Sequence, residues 1–423
     1  MKKIVLFLLY FITANTIAQQ SVDTTQVVIL DRVNSIEAQK KPYVILISID
    51  GYRFDYTEKF NAENIKKMGQ RGVKAKALLP VYPSITFPNH WSIITGLYPA
   101  HHGLIDNFFM DFTLNESYKM SNAQNAEDGK WYGGLPLWSL AESQGVLSAS
   151  LQWVGSASDA GGIRPTYYYR YHEKFSPQEK TKKVIDWLKL PEEKRPHFIS
   201  LYFPEVDSAG HHFGPDSEEN KQAVALVDHA IGSLINEVNQ LNLSNVNFIL
   251  VSDHGMKKVD KENPLRIPAL LQDENKYDLF NSQTLLRVRV NNKKEIKETY
   301  KELKKNQTNN YNVYLASNFP KKLNYSSKND KYNRIGDILL VPNSPYIFLE
   351  HWKKTTTGKH GYNVYKEPDM KAIFYAEGAN FKSNIEIKEF KNIDIYPIIS
   401  EILELKITEP IDGSKKNIKK LLN

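Results

Sequence analysis

Three short apolar runs constrain this chain more than anything else in it: Tyr43 to Ile49, His197 to Phe203 and Val246 to Ser252. Each is rich in β-branched or aromatic side chains and is continuous rather than alternating. A strand reads this way when both of its faces are buried, as in a parallel sheet covered by helices. The cover is also legible. After Asp216-Ser217, which suits a capping region, Val224, Val227, Ile231, Leu234, Ile235 and Val238 recur at helical spacing. Strands alternating with helices predict an α/β fold with a doubly wound, mostly parallel sheet. With 41% of 423 residues hydrophobic, the chain can fill a large core. From about 260 to 345, Lys/Asn-rich loops enclose alternating segments such as Leu285 to Val290. They predict a smaller α+β lobe inserted in a main domain spanning 41–423.

At the other end, Met1-Lys2-Lys3 precedes an apolar run from Ile4 to Ile12 and the small-residue stretch ending Thr16-Ile17-Ala18. This pattern predicts a signal peptide over 1–18, because the apolar run is too short to span a bilayer. Residues 19–40 are polar and aperiodic and read as an N-terminal lead. The protein is thus expected to be exported, periplasmic or secreted, with no transmembrane anchor after cleavage. The formal charge is +7, but no Lys/Arg stripe is interleaved with aromatics, which argues against a stable nucleic-acid partner. There are no cysteines. Thiolate ligands are excluded, and any metal site must use Asp, Glu, His or a hydroxyl.

Each buried run leads into an acid: Asp50, Asp207 and Asp253. In open α/β sheets ligands bind beyond the carboxyl ends of the strands. Three carboxylates delivered there would repel one another unless something positive lay between them. Histidines accompany them. His211 follows Asp207 by four residues, His254 adjoins Asp253, and His360 stands in Lys359-His360-Gly361-Tyr362. Asp253 and His254 can face one ion only if the strand has ended, as Gly255 suggests. Singly, each of these residues would read as a cap or a structural histidine; together they point to a pair of metal ions, zinc with manganese or iron as rivals. His90, His101, His102, His212 and His351 read as structural or supporting.

The hydroxyl is Thr86. Pro88 suits the first turn of a helix and Gly96 its end, so Thr86 stands at a helix N-terminus, where the macrodipole favours an anion. Metal coordination would make this weak nucleophile reactive. The alternative is that Ser84 or Thr86 merely caps the helix.

Thr86-Phe87-Pro88-Asn89-His90, Thr95 to Pro99, His102-Gly103 and Asp106-Asn107 stand in one order with Ile49-Asp50-Gly51, Asp207 and His211, Ser252 to Met256 and His360-Gly361. In these motifs the chain resembles the nucleotide pyrophosphatase/phosphodiesterase family of the alkaline phosphatase superfamily, from about Tyr43 to Asp412-Gly413. The resemblance implies an alkaline phosphatase-like fold and two zinc ions per chain, other divalent metals being possible. One would be held by Asp207, His211 and His360, and the other by Asp50, Asp253, His254 and Thr86. It implies catalysis by Thr86, through a phospho-threonine intermediate, and by Asn107, which would donate to a phosphoryl oxygen. Phe87, Asn107 and Tyr168 would bind substrate, a small phosphodiester or nucleotide that yields a nucleoside monophosphate, and Trp153 to Ser156 would lead to its pocket. Glu205-Val206-Asp207 departs from the family's Glu-Pro-Asp but keeps the carboxylate, and the disulfides of animal relatives are missing.

Rival readings on the same site are a phosphate monoesterase and a choline-phosphodiester or phosphonate hydrolase. A monoester dianion needs extra positive charge, and the stretch from Gly155 to Ile163 offers none before Arg164. A non-catalytic binding protein would have no use for an intact nucleophile and ligand set.

Overall fold

The computed structural model describes residues 23–351 and 353–423; the leader expected over 1–18 lies outside the described residues. Nine strands form the main sheet. In chain order they are β1 (Gln26–Val28), β2 (Tyr43–Ile49), β3 (Val73–Ala75), β4 (Ser148–Leu151), β5 (Tyr167–Tyr169), β6 (Phe198–Phe203), β7 (Val246–Val251), β8 (Phe374–Gly378) and β9 (Ile385–Ile387). Across the sheet the order is β1, β5, β4, β6, β2, β7, β8, β3, β9. The block from β5 to β7 is parallel, and β1 and β8 flank it antiparallel.

The continuous apolar runs are explained by burial on both faces. Along β2, Val44 and Leu46 enter one core with Trp91, Trp138 and Ile398. Ile45 and Ile47 enter the other with Ile65, Val184 and Val227. Helices Thr86–Thr95, Leu137–Glu142 and Ile395–Ile402 cover the first face, and Glu63–Arg71, Pro177–Leu188 and Glu218–Gln240 cover the second. Ser217 caps Glu218–Gln240 by accepting from the Asn220 N–H at 3.1 Å.

Within the stretch read as a polar lead, Gln26–Val28 is an edge strand paired antiparallel with β5. Asn34 fastens the segment after this strand: its side-chain amide donates to the carbonyls of Glu192 and Arg195 and accepts from the Leu147 N–H. A strand of three residues is too short to show a period. Between β7 and β8, Tyr277–Asn281, Leu286–Val290, Ile338–Pro342 and Tyr311–Leu315 make a separate antiparallel sheet. Its own core holds Val288, Leu303, Val313 and Leu340. Two buried ion pairs tie this region to the segment that follows helix Thr86–Thr95: Arg287, in the sheet, with Asp106 at 3.2 Å and Arg334, in the loop before Ile338–Pro342, with Asp111 at 2.8 Å. Among the described residues no helix is long and apolar enough to cross a membrane.

Candidate active site

Parallel strands deliver their carboxyl ends to one edge of the sheet, and the acids gather there. Asp50 directly follows β2, Asp207 lies in helix Glu205–Phe213 just after β6, and Asp253 lies two residues beyond β7. Asp207 and His211, one helical turn apart, share a face. The turn after β2 touches the helix after β6 at Gly51 (φ +67°), where a Cβ would stand 2.8 Å from the Asp207 Cα. Only glycine permits that approach. Since β7 has ended at Val251, Asp253 and His254 can both turn inward, and His254 Nε2 lies 3.0 Å from Asp253 Oδ2 and 3.5 Å from Asp50 Oδ1.

Two groups of ligand atoms result, Asp50, Asp253 and His254 on one side and Asp207, His254 and His360 on the other. His211 joins the second group, its Nε2 lying 3.1 Å from His360 Nε2 and 3.4 Å from Asp207 Oδ2. The backbone sets the tautomers. Nδ1 of His211, His254 and His360 lies 2.8–3.0 Å from the carbonyls of Gly358, Gly255 and Ser84 respectively. A carbonyl only accepts, so each Nδ1 carries the proton and each Nε2 presents a lone pair. Lone pairs therefore face lone pairs and carboxylates. Asp50 Oδ1, Asp207 Oδ1 and Asp253 Oδ2 are buried without a hydrogen-bond partner among the described residues. Burial, then the charges of Asp253 and Asp207, push the Asp50 carboxyl well above its usual range. Burial, then His254 and His211, hold His360 neutral well below the usual imidazole range. Divalent cations fit this donor set, because they would satisfy the orphaned oxygens and the facing nitrogens together.

Thr86 is the first residue of helix Thr86–Thr95, and Gly96 ends it in the left-handed region at φ +70°. Neither candidate hydroxyl caps it. The N-cap is Ile85, while Ser84 Oγ donates to the Tyr362 carbonyl and accepts from the Gly361 N–H. Thr86 Oγ1 instead lies 3.2 Å from His254 Nε2. Asn107 Oδ1 accepts from the Phe87 N–H at 3.1 Å, which leaves its NH₂ to donate elsewhere.

One supporting residue, Tyr202, escaped sequence reasoning, and another, His90, stands where a structural or supporting histidine was expected. Tyr202 donates its hydroxyl to Asp50 Oδ2 at 2.5 Å, and nothing in an apolar run marks that one tyrosine as an acid's partner. His90 bridges Ser48 Oγ and the Thr86 carbonyl, with Nδ1 3.4 Å from Asp253 Oδ2. Of the other histidines, His101 pairs with Asp412, His102 with Ser92, and His212 with the Ser208 carbonyl.

A cavity of about 530 Å³ opens above Thr86, Asp50 and Asp207. Phe87 and the segment Trp153 to Ser156 line it, as the sequence suggested. Tyr168 does not: it is buried inside β5, and Tyr171, in the loop beyond, lines the cavity. The pleat supplies the reason, because successive side chains of a strand point to opposite faces, and Tyr169, not Tyr168, reaches the cavity from β5.

A family model described as type I phosphodiesterase / nucleotide pyrophosphatase matches residues 44–363. Venom phosphodiesterase of Naja atra is 35% identical over 396 residues, covering 90% of this chain and 46% of that protein. Ectonucleotide pyrophosphatase/phosphodiesterase family member 3 of Rattus norvegicus is 33% identical over 398 residues, covering 91% of this chain and 44% of that protein. The chain thus spans less than half the length of these curated relatives. Among solved structures, murine ectonucleotide pyrophosphatase/phosphodiesterase 5, as an inactive threonine-to-alanine variant in complex with AMP, matches with a TM-score of 0.83 and 27% identity. That match covers 90% of this chain and 100% of the other.

Proposed function

The chain belongs to the type I phosphodiesterase / nucleotide pyrophosphatase family, and we propose that it is an exported two-zinc enzyme hydrolysing phosphodiester or phosphoanhydride bonds of nucleotides or similar small diesters. Its fold is the alkaline phosphatase-like one expected. Asp207, His211 and His360 would hold one zinc, and Asp50, Asp253, His254 and Thr86 the other. Bound zinc would supply Lewis-acid stabilisation of charge on the phosphoryl, attacking and leaving oxygens.

The observation that carries this reading is the setting of Thr86. Its Oγ1 stands at a helix N-terminus, within 3.2 Å of His254 Nε2, on the floor of a cavity large enough for a nucleoside. Thr86 Oγ1, its proton lost to solvent, forms a bond to phosphorus as the bond to the leaving oxygen breaks, and water then cleaves the phospho-threonine, its hydroxyl going to phosphorus and its proton restoring the Thr86 hydroxyl. Asn107, its carbonyl oxygen engaged by Phe87, turns its NH₂ toward a phosphoryl oxygen. Phe87 and Tyr171 offer ring faces to the group lodged in the cavity. The venom and ecto names of the relatives agree with export.

A monoesterase finds no support in the cavity, whose lining includes no lysine or arginine among the described residues. Arg164, the nearest candidate in sequence, donates Nε to the Ala157 carbonyl at 3.1 Å. The test is kcat/KM on bis(p-nitrophenyl) phosphate against p-nitrophenyl phosphate, with Thr86→Ala alongside. A diester preference that vanishes in a folded, zinc-containing Thr86→Ala variant is expected; near-normal turnover by that variant sinks the nucleophile.

A further inference from the structure

The cavity above Thr86 carries a charge pattern that bond cleavage does not use. Its lining includes the carboxylates Glu127 and Glu173 and the rings of Phe87, Trp153, Tyr171 and Tyr202, with no cationic side chain among the described residues. Glu127 is engaged, since Arg170 Nε lies 3.1 Å from both of its oxygens. Lys180 is engaged too, donating Nζ to the Tyr202 carbonyl at 3.0 Å. Glu173 is exposed at the mouth and, among the described residues, has no ion pair or hydrogen bond through its side chain.

Its position is fixed by the end of β4. Gln152, buried and held at φ +64°, donates its amide to the carbonyls of His172 at 2.8 Å and Arg170 at 3.3 Å. This bracket pins the loop that presents Tyr171 and leads into Glu173. Burial, then the Glu173 charge, push the Tyr171 hydroxyl upward, which agrees with the carboxylate standing beside that ring.

We propose that Glu173 determines specificity by charge, so that the cavity favours diesters whose cavity-side group is positively charged and disfavours those whose group bears an additional anion. The inference rests on the phosphodiesterase reading above. A free carboxylate attracts a cation and an adjacent ring face adds to that attraction, whereas a second anion meets no countercharge in the lining.

The probes are p-nitrophenyl phosphodiesters whose other ester group is 2-aminoethyl, n-propyl or 2-carboxyethyl, measured as kcat/KM by nitrophenol release. The wild type should prefer aminoethyl over propyl and propyl over carboxyethyl by about fivefold per step, the factor for one charge pair in water. Glu173→Gln should compress the order, and Glu173→Lys should invert it. Equal rates across the series, or an order unchanged in Glu173→Lys, overturn the role of Glu173 while leaving Thr86 chemistry standing. Failure of the wild type to cleave any of the three, or bis(p-nitrophenyl) phosphate, sinks both readings.

Discussion

Asn107 permits a prediction in which stability and catalysis separate. Its Oδ1 accepts the Phe87 N–H at 3.1 Å, and its NH₂ is assigned to a phosphoryl oxygen. Asn107→Ala removes both. Loss of the acceptor should cost about 1 kcal/mol of stability, the net value of an ordinary hydrogen bond. Loss of the donor should cost about 3 kcal/mol in the transition state, or roughly 10² to 10³ in kcat. Asn107→Asp divides the two effects. The carboxylate still accepts from Phe87, so Tm should stay nearer the wild type than in Asn107→Ala. It has no N–H to donate, and it sets a negative charge against an anionic phosphoryl group. At ~4 Å and an effective dielectric of about 20, that repulsion amounts to about 4 kcal/mol. Asn107→Asp should therefore melt higher than Asn107→Ala and yet turn over bis(p-nitrophenyl) phosphate no faster. Thermal melts and steady-state kinetics on the two variants decide it. More activity in Asn107→Asp than in Asn107→Ala, or less than a tenfold loss in Asn107→Ala, refutes the assignment.

Tyr202→Phe should leave Asp50 without its one hydroxyl donor and weaken zinc binding by about 10- to 100-fold, as loss of a group orienting a ligand does; unchanged zinc affinity in a competition titration would show that the contact is incidental. Chelation should lower Tm, because Asp50 Oδ1, Asp207 Oδ1 and Asp253 Oδ2 are buried without partners among the described residues. Restored zinc at ~1,000 times its Kd should return about 4 kcal/mol; identical melts with chelator and with zinc count against a metal at this site.

How much of this was legible in the sequence depends on whether local pattern or tertiary context governs each residue. The strands β2, β6 and β7 could be read because double-sided burial writes a continuous apolar run, and Val44 and Ile45 do enter opposite cores. The acids and histidines could be read because a strand's carboxyl end is a fixed place in such a fold, and the structure brings Asp50, Thr86, Asp207, His211, Asp253, His254 and His360 together. The features that failed to show lack any period. β1 is three residues long, and its pairing with β5 is a long-range event. Tyr202 sits in an apolar run where nothing marks its hydroxyl as an acid's partner, and Tyr168, Tyr169 and Tyr171 are indistinguishable in a tyrosine-rich stretch until the pleat and end of β5 are known. The tautomers of His211, His254 and His360 depend on the carbonyls of Gly358, Gly255 and Ser84, which no spacing rule reveals.

The proposed ligands and nucleophile hang from separate stretches of chain: the end of β2, the start of a helix, the stretches after β6 and β7, and the turn after Gly358–Lys359. No fragment that stops short of His360, or starts after Asp50, can contain both donor sets. During synthesis the second set thus stays incomplete until its final histidine has emerged and the intervening sheet from Tyr277 to Pro342 has been made. Such distant pairings close slowly. Metal uptake would then mark the completion of the fold rather than its beginning, and the rate of zinc loading would serve as a clock for the last step of maturation.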